Sequence, residues 1–199
     1  MSKNYKFLAL KEIAGIKYGR HLRKAVVEVK DSGVVIVQMK NASIDGINWK
    51  DCISTEAEGI GDTYWLEVND ILFMSRGNKH YAVRVDESIN EIDAKAVAAP
   101  SWFSIRADTK VIMPEYLTWW LNQPPAQAYL EQEVQGDKSK HILRSTLENL
   151  VVAIPSFEEQ EAVINMIEAT RIEKERLESC IERNAELLSN LAVMMADEK

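Results

Sequence analysis

The sequence predicts a mixed α+β domain followed by a long C-terminal coiled-coil helix, and three observations predict this architecture. Residues 1–155 alternate short apolar runs with turn-forming residues, which is typical of a domain built from strands and short helices. The chain contains no glycine or proline after Pro155. In that last segment, apolar residues recur at spacings of three and four, as they do in coiled coils.

Short strands are predicted in the first half of the chain. The continuous apolar run at residues 34–37 is typical of a buried strand. A second run at residues 70–74 is followed by a turn-rich loop and a return through residues 81–83, which predicts a hairpin. Arg76 and Lys79 give this hairpin a basic tip.

Helices are predicted in the second half of the domain. Two are expected within residues 114–135, separated at Pro124-Pro125 because proline ends a helix. Ser145 with Glu148 has the spacing of a capping box, which predicts a further short helix. The apolar run at residues 150–154 then predicts a last strand, and the hinge at Pro155 a domain boundary.

The C-terminal segment is predicted to be a single helix that begins at Ser156, where Glu159 completes a second capping box. Its length of roughly 60 Å is too great for one compact domain to cover, so its apolar stripe needs a partner helix. Asn184 either sets the register of that pairing or is a tolerated polar residue. The predicted dimerisation residues are Val163, Ile167, Leu177, Ile181, Asn184, Leu188, Leu191 and Met195, and Thr170 and Lys174 complete the stripe.

The net charge of −7 is unevenly distributed. Residues 1–155 sum to −1 and residues 156–199 to −6, while the first thirty residues alone sum to +6. A protein that binds nucleic acid is expected to carry a basic surface. The total charge argues against such a surface, whereas the charge of the first thirty residues supports one.

Several classes of protein are excluded by what the sequence lacks. No apolar run is long enough to cross a membrane and no export signal is present, so we expect a soluble, cytoplasmic protein. Cys52 and Cys180 have no metal-ligating neighbours. Without a glycine-rich phosphate loop, HExxH or GxSxG, the chain is predicted to have no catalytic residues, no metal and no cofactor.

Seven sequence fragments, which follow one another along nearly the whole chain, are together typical of one known family. The most specific is Ile154-Pro155-Ser156-Phe157-Glu158-Glu159-Gln160, a proline hinge followed by a Glu-Gln helix entry. The chain resembles the specificity subunit of type I restriction-modification systems, with one target-recognition domain and one helix where family members commonly have two of each. The other fragments are residues 10–16 with Gly19, 65–77, 98–106, 114–121, 136–142 and 144–150.

The resemblance implies a DNA target-recognition domain at residues 1–155 and a spacer or dimerisation helix at residues 156–199. It implies a non-catalytic subunit that binds double-stranded DNA and positions an adenine-N6 methyltransferase subunit, with an endonuclease subunit as a further partner. A half-length chain is expected to form a homodimer through antiparallel tail helices and to recognise a bipartite palindrome. One departure is Asn69-Asp70, where the family usually has Gly-Asp.

Candidate DNA contacts come from basic or amide-bearing loops, because arginine binds guanine edges and lysine mostly binds phosphates. Two other interpretations keep the fold but change the role: an orphan half-subunit that regulates the methyltransferase, or a coiled-coil adaptor that binds only protein. The aromatic residues Trp102, Phe103, Trp119 and Trp120 are expected in the core. The candidate contacts are Lys17, Arg20, His21, Arg23, Lys24, Lys40, Asn41, Ser43, Arg76, Asn78, Lys79, Lys138, Lys140 and His141.

Overall fold

The structure is a computed structural model that describes residues 5–20, 33–55, 61–133 and 141–197. The chain divides into two compact units, Met1–Phe157 and Glu158–Lys199. The domain boundary expected at Pro155 lies two residues before this division.

Strands and short helices make up the first unit, and one long helix makes up the second. This architecture confirms the predicted α+β class with a long C-terminal helix. The strands are β1 Lys6–Ala9, β2 Ala14–Tyr18, β3 Val34–Val37, β4 Ala42–Ser43, β5 Gly46–Ile47, β6 Ile53–Ser54, β7 Ile71–Met74, β8 Ala82–Arg84, β9 Lys95–Ala98, β10 Trp102–Ala107 and β11 Val151–Ile154. The helices are α1 Leu10–Ile13, α2 Pro114–Leu121, α3 Pro124–Glu133, α4 Arg144–Asn149 and α5 Phe157–Asp197.

A four-stranded antiparallel sheet in the order β2-β10-β7-β8 lies at the centre of the first unit. Leu72, Met74 and Trp102 share a hydrophobic core with β3 and β9. Ile71 and Phe73 point to the opposite face, because side chains alternate along a strand, and they are also fully buried. With α2 in contact with β8 and β10, both faces of the sheet are covered and its strand ends are held in place.

β3 is the strand predicted from the apolar run at residues 34–37. It pairs antiparallel with β6 on one edge and parallel with β9 on the other. All four of its residues are buried, which explains why the run is continuously apolar rather than alternating.

β7 and β8 form the predicted hairpin, with Phe73 opposite Ala82. Asn122, which follows α2, binds the backbone of Ala82 twice: its Oδ1 accepts from the N–H and its Nδ2 donates to the carbonyl, both at 2.8 Å. Because β8 is an edge strand, these bonds satisfy backbone groups that no further strand pairs. The predicted helix break is present, since α2 ends at Leu121 and α3 begins at Pro124.

The start of α4 differs from the prediction. The capping box expected from Ser145 and Glu148 is wrong, because α4 begins at Arg144 with Leu143 in the N-cap position and no side-chain hydrogen bond to the cap. Glu148 accepts instead from Arg144 Nε at 2.8 Å. A charged pair four residues apart on a helix uses the carboxylate that the capping box would have needed.

The Asn69-Asp70 pair keeps the backbone shape that glycine would give. Asn69 has a φ of 74°, in the left-handed region where glycine is usual. Asparagine tolerates this region better than most residues, because its short side chain can form local hydrogen bonds. Its Oδ1 accepts from Arg84 Nη1 at 2.8 Å. The departure from Gly-Asp therefore preserves the turn into β7.

The second unit is the 41-residue helix α5, which begins directly after Ser156, as the sequence predicts. Five apolar residues of its predicted stripe are each more than half exposed: Leu177, Ile181, Leu188, Leu191 and Met195. A long helix that exposes an apolar stripe is typical of one that packs against another helix.

Charged residues also lie along α5. Arg171 donates to Glu168 at 2.6 Å and to Glu175, three and four residues away. Pairs at this spacing stabilise a solvated helix face. Across the described ranges, no helix is long and apolar enough to cross a bilayer.

Candidate nucleic-acid interface

Three segments that carry predicted contact residues meet at one end of the four-stranded sheet. β2 and β7 end there, and β10 and β8 begin there, with Tyr18 opposite Phe103 and Phe103 opposite Phe73. The first segment is the end of β2, the second is the loop between β7 and β8, and the third immediately precedes α4. We call this region the basic sheet end and define it by Lys17, Arg20, Arg76, Asn78, Lys79 and His141.

Backbone hydrogen bonds hold two of these segments together. The N–H of Ser75 donates to the carbonyl of Ser101 at 2.9 Å, and the N–H of Ile142 donates to the carbonyl of Ser75 at 2.8 Å. Arg76 and His141 form an isolated antiparallel bridge beside these bonds. The sequence analysis placed Arg76 and His141 in separate loops, and the structure makes them neighbours.

The path of the chain after β2 depends on Gly19. A Cβ atom at this position would lie 1.9 Å from the carbonyl oxygen of Ala99, so no other residue fits without a backbone shift. The next N–H, that of Arg20, donates to the carbonyl of Ala98 at 2.8 Å. The Arg20 guanidinium lies over the Tyr64 ring, 5.1 Å from its centroid, in a cation–π contact. Arg20 is therefore positioned by the fold.

The hairpin loop carries its polar residues on the surface. Arg76, Asn78 and Lys79 are exposed, and among the described residues no carboxylate is within ion-pair distance of Arg76 or Lys79. Gly77 has a φ of 110°, and a Cβ there would lie 3.2 Å from Met39 Cε. The loop therefore presents two cations whose charge is available to an external anion such as a phosphate.

The turn that carries Lys40, Asn41 and Ser43 follows β3 and lies next to the hairpin. The Tyr81 hydroxyl, just before β8, donates to the carbonyl of Ala42 at 2.7 Å. Lys40 and Ser43 are exposed on this turn. The fourth predicted segment is thus adjacent to the basic sheet end.

The prediction that Asn41 contacts DNA is wrong, because its side chain is 1% exposed and fully used within the turn. Its Oδ1 accepts from the N–H of Gln38 at 2.9 Å, and its Nδ2 donates to the carbonyl of Asp51 at 2.7 Å. A buried amide whose oxygen and nitrogen are both hydrogen-bonded stabilises the turn and is not accessible to a base.

The remaining predicted contacts lie outside the described residues and stay predictions. They are His21, Arg23, Lys24, Lys138 and Lys140. The first three belong to the N-terminal basic block of the sequence, and the last two belong to the segment that precedes His141.

Two residues at the basic sheet end were missed by the sequence analysis: Tyr18 and Arg144. Trp102 and Phe103 are buried, as expected for core aromatics, whereas Tyr18 is 55% exposed. Its ring packs on Phe103 with the ring centroids 5.1 Å apart, and Arg144 Cζ lies 6.0 Å from the Tyr18 centroid. The available signal was an aromatic residue between Lys17 and Arg20 at a strand end.

The opposite end of the same sheet has a different arrangement of charge. Asp70, which is buried, accepts two hydrogen bonds from Arg106, at 2.7 and 2.8 Å. Glu67 lies 3.2 Å from the same guanidinium. The hydrogen bonds to Asp70 raise the pKa of Arg106 above its ordinary value, although partial burial acts against them. Arg106 is thus held in an internal ion pair.

Arg84, on the edge strand at that same end, is also paired. Its Nη1 lies 3.5 Å from Glu115 and 3.9 Å from Glu87. We call this region the paired sheet end and define it by Glu67, Asp70, Arg84, Glu87, Arg106 and Glu115.

The described residues offer no candidate metal site. Within the described ranges, no group of three histidine, cysteine or acidic side chains is close enough to hold an ion.

Comparisons with known proteins bear on the fold and on the sequence. No family model matches the chain. It is 34% identical over 100 residues to the specificity subunit of the type I restriction enzyme EcoBI of Escherichia coli, covering 50% of this chain and 20% of that protein. It superimposes on the S subunit of the type I restriction-modification system of M. genitalium with a TM-score of 0.59, at 17% identity, covering 93% of this chain and 44% of that one.

The HsdS subunit from Thermoanaerobacter tengcongensis gives a TM-score of 0.63 at 16% identity, covering 92% of this chain and 47% of that one. The chain has the fold of type I specificity subunits. A third structure, of a chain from a type I restriction-modification system, gives a TM-score of 0.61 at 15% identity, covering 89% of this chain and 40% of that one. The predicted resemblance is confirmed, and the chain spans less than half the length of each relative.

Proposed function

We propose that this chain is a sequence-specific DNA-recognition subunit of a type I restriction-modification system. The observation that carries the proposal is that Arg76 and His141, from distant parts of the sequence, form a bridge at the end of the sheet where β2, which carries Lys17, also ends. The identity to the E. coli specificity subunit supports the same role.

The side chains at the basic sheet end have the chemistry that duplex DNA requires. Arginine donates two parallel hydrogen bonds to the O6 and N7 atoms of guanine, and lysine binds phosphate oxygens. In the proposed role Arg76 and Arg20 contact base edges, and Lys79, Lys17 and Lys40 contact the backbone. The subunit itself performs no catalysis and positions a methyltransferase subunit that modifies adenine N6.

The second part of the proposal concerns assembly. Because α5 exposes its apolar stripe, we propose that two chains pair through antiparallel tail helices, with Leu177, Ile181 and Leu188 in the interface. A two-fold dimer presents the same surface twice in opposite directions. The proposed target is therefore a bipartite palindrome whose gap is set by the length of α5.

Methylation sequencing of a host genome, with and without this chain and a cognate methyltransferase subunit, tests the proposal. A new adenine mark at a bipartite palindrome is the expected result. A new mark at a non-palindromic site contradicts the homodimer but not the recognition role.

The same experiment separates the alternative roles. Loss of an existing mark indicates a regulator that competes for the methyltransferase. No change in any mark, together with no salt-sensitive binding of DNA by the complex, indicates a protein-binding adaptor.

A further inference from the structure

We propose that Tyr18 and Arg144 form an additional DNA-contacting pair, in which Arg144 binds the duplex and Tyr18 is the residue that positions its guanidinium. This inference rests on the proposed function and adds two residues that are not among the candidate contacts predicted from the sequence. The pair lies at the basic sheet end, where β2 ends and α4 begins.

Tyr18 is an exposed aromatic residue with a rigid support. It is the last residue of β2 and pairs with Phe103 of β10. The two rings lie 5.1 Å apart at an interplanar angle of 59°, and Phe103 is only 2% exposed. Because its neighbour is fixed in the core, the Tyr18 ring has a defined position while 55% of the residue remains exposed. An exposed, immobilised aromatic ring at a basic surface is suited to holding a cation.

Arg144 is held at two points and keeps donors for a third contact. Its Cζ lies 6.0 Å from the centroid of the Tyr18 ring, and its Nε donates to Glu148 at 2.8 Å. The side chain is 41% exposed. Among the described residues, neither Nη group has a protein hydrogen-bond partner. A guanidinium fixed in this way presents two parallel donors, which match guanine O6 and N7 or two phosphate oxygens.

The surroundings favour DNA over another protein as the occupant. Arg144 follows His141 by three residues, and Ile142 between them is hydrogen-bonded to Ser75, next to Arg76. Lys17 and Arg20 flank Tyr18 in the sequence. Glu148 offsets the charge of Arg144, and the neighbouring Lys17, Arg20, Arg76 and Lys79 add positive charge, so the local excess is positive and suits a polyanion.

Binding measurements with the complete chain in complex with its methyltransferase subunit test the inference. Dissociation constants are measured for the cognate duplex, defined by methylation sequencing, and for a scrambled duplex. We expect Arg144→Ala to weaken cognate binding by about tenfold or more, and Arg144→Lys to lose preference for the cognate duplex while retaining most scrambled-duplex affinity. We expect Tyr18→Phe to match the wild type and Tyr18→Ala to lower the cognate preference by about threefold to tenfold.

Lys110→Ala is the matched control, because it removes an exposed cation just after β10, at the other end of the sheet. It is expected to leave the cognate preference unchanged. A purely structural role for Tyr18 would lower the melting temperature of Tyr18→Ala without changing the ratio of cognate to scrambled affinity. If Tyr18→Ala fails to fold, the ratio of cognate to scrambled affinity of Arg144→Lys and Arg144→Ala tests whether Arg144 binds the duplex.

Two outcomes overturn the inference and leave the proposed function intact. In the first, the wild-type complex prefers its cognate duplex and both Arg144 variants do so equally well. In the second, the Arg144 variants lose the methyltransferase subunit but not DNA affinity, which assigns the pair to a protein contact. A wild-type complex without any sequence preference contradicts the proposed function itself.

Discussion

The two ends of the four-stranded sheet use arginine in opposite ways. At the paired sheet end, Arg106 is bound by the buried carboxylate of Asp70 and Arg84 lies near Glu115. At the basic sheet end, Arg76 is exposed, and no carboxylate of the described residues lies within ion-pair distance of it. An arginine whose donors are taken by a buried carboxylate stabilises the fold, whereas an exposed arginine with unused donors can bind a ligand.

This difference explains how a protein with a net charge of −7 can carry a DNA-binding surface. Much of the acidity, −6, belongs to residues 156–199. In the first unit, Arg84 and Arg106 are paired with carboxylates at the paired sheet end, whereas at the basic sheet end Arg76 and Lys79 have no carboxylate of the described residues within ion-pair distance. The distribution of charge over the surface, rather than its sum, decides whether an anion is attracted.

The largest expected effect comes from Gly19, whose absent side chain permits the path of the chain into the basic sheet end. We expect Gly19→Ala to lower the free energy of unfolding by about 3 kcal/mol, because the new Cβ would meet a backbone oxygen rather than a flexible side chain. Gly15→Ala, within β2 and with nothing within 4 Å of the added Cβ, is the control and is expected to change the free energy of unfolding by less than about 0.5 kcal/mol. Chemical denaturation measures both, and equal stabilities would contradict the close approach.

The next effect concerns the paired sheet end. We expect Asp70→Asn to lower the free energy of unfolding by about 2 kcal/mol, because it removes the charge from a buried carboxylate that binds both Arg106 and the N–H of Glu67. Glu67→Gln, which alters an exposed partner of Arg106, is expected to lower the free energy of unfolding by less than about 0.5 kcal/mol. A weaker effect of Asp70→Asn than of Glu67→Gln would show that the buried pair does not stabilise this end.

A direct comparison of one arginine from each end comes third. We expect Arg76→Ala to weaken binding of the cognate duplex by the assembled complex about tenfold, with little change in stability. We expect Arg84→Ala to lower the free energy of unfolding by about 1 kcal/mol, because it loses its bond to Asn69, while leaving DNA affinity unchanged. Fluorescence anisotropy measures the DNA affinity and thermal denaturation the stability of the same samples. Loss of DNA affinity in Arg84→Ala and loss of stability alone in Arg76→Ala would contradict these roles.

The smallest effect is expected from Asn69→Gly, at the residue with positive φ. Asn69→Gly relieves the backbone but removes the acceptor for Arg84, so we expect a net change below about 1 kcal/mol. Asn69→Val places a β-branched residue in the left-handed region and is expected to lower the free energy of unfolding by about 2 kcal/mol. Thermal melts of the two variants provide the check, and a valine variant as stable as the glycine variant would argue against the left-handed conformation.

Elements encoded by local sequence were predictable. β3 has the bounds of its apolar run, and α2 and α3 separate at Pro124 because proline at that point cannot continue the first helix. The start of α4 was missed because two uses of Glu148 compete, and the bond to Arg144 is formed instead of a capping box.

The candidate site was only partly predictable because it depends on long-range pairing. Arg76 and Ser43 are exposed and stay predicted contacts, but nothing near Asn41 in the sequence indicates that Asp51 and Gln38 bind both groups of its amide. The pairing of Arg76 with His141 joins segments far apart in the chain. Tyr18 was missed because an exposed aromatic residue and a core aromatic residue look alike in a strand.

The central claim is that DNA binds at the basic sheet end. Its most direct test is the salt dependence of DNA binding by the chain assembled with its methyltransferase subunit. We predict that Lys17→Ala/Lys79→Ala, which removes two of the proposed phosphate contacts, reduces the slope of log K against log salt by about 2, since each lost phosphate contact reduces it by about 0.9, whereas Lys110→Ala leaves the slope unchanged. An unchanged slope in the double variant, or an equal reduction in Lys110→Ala, would contradict the account.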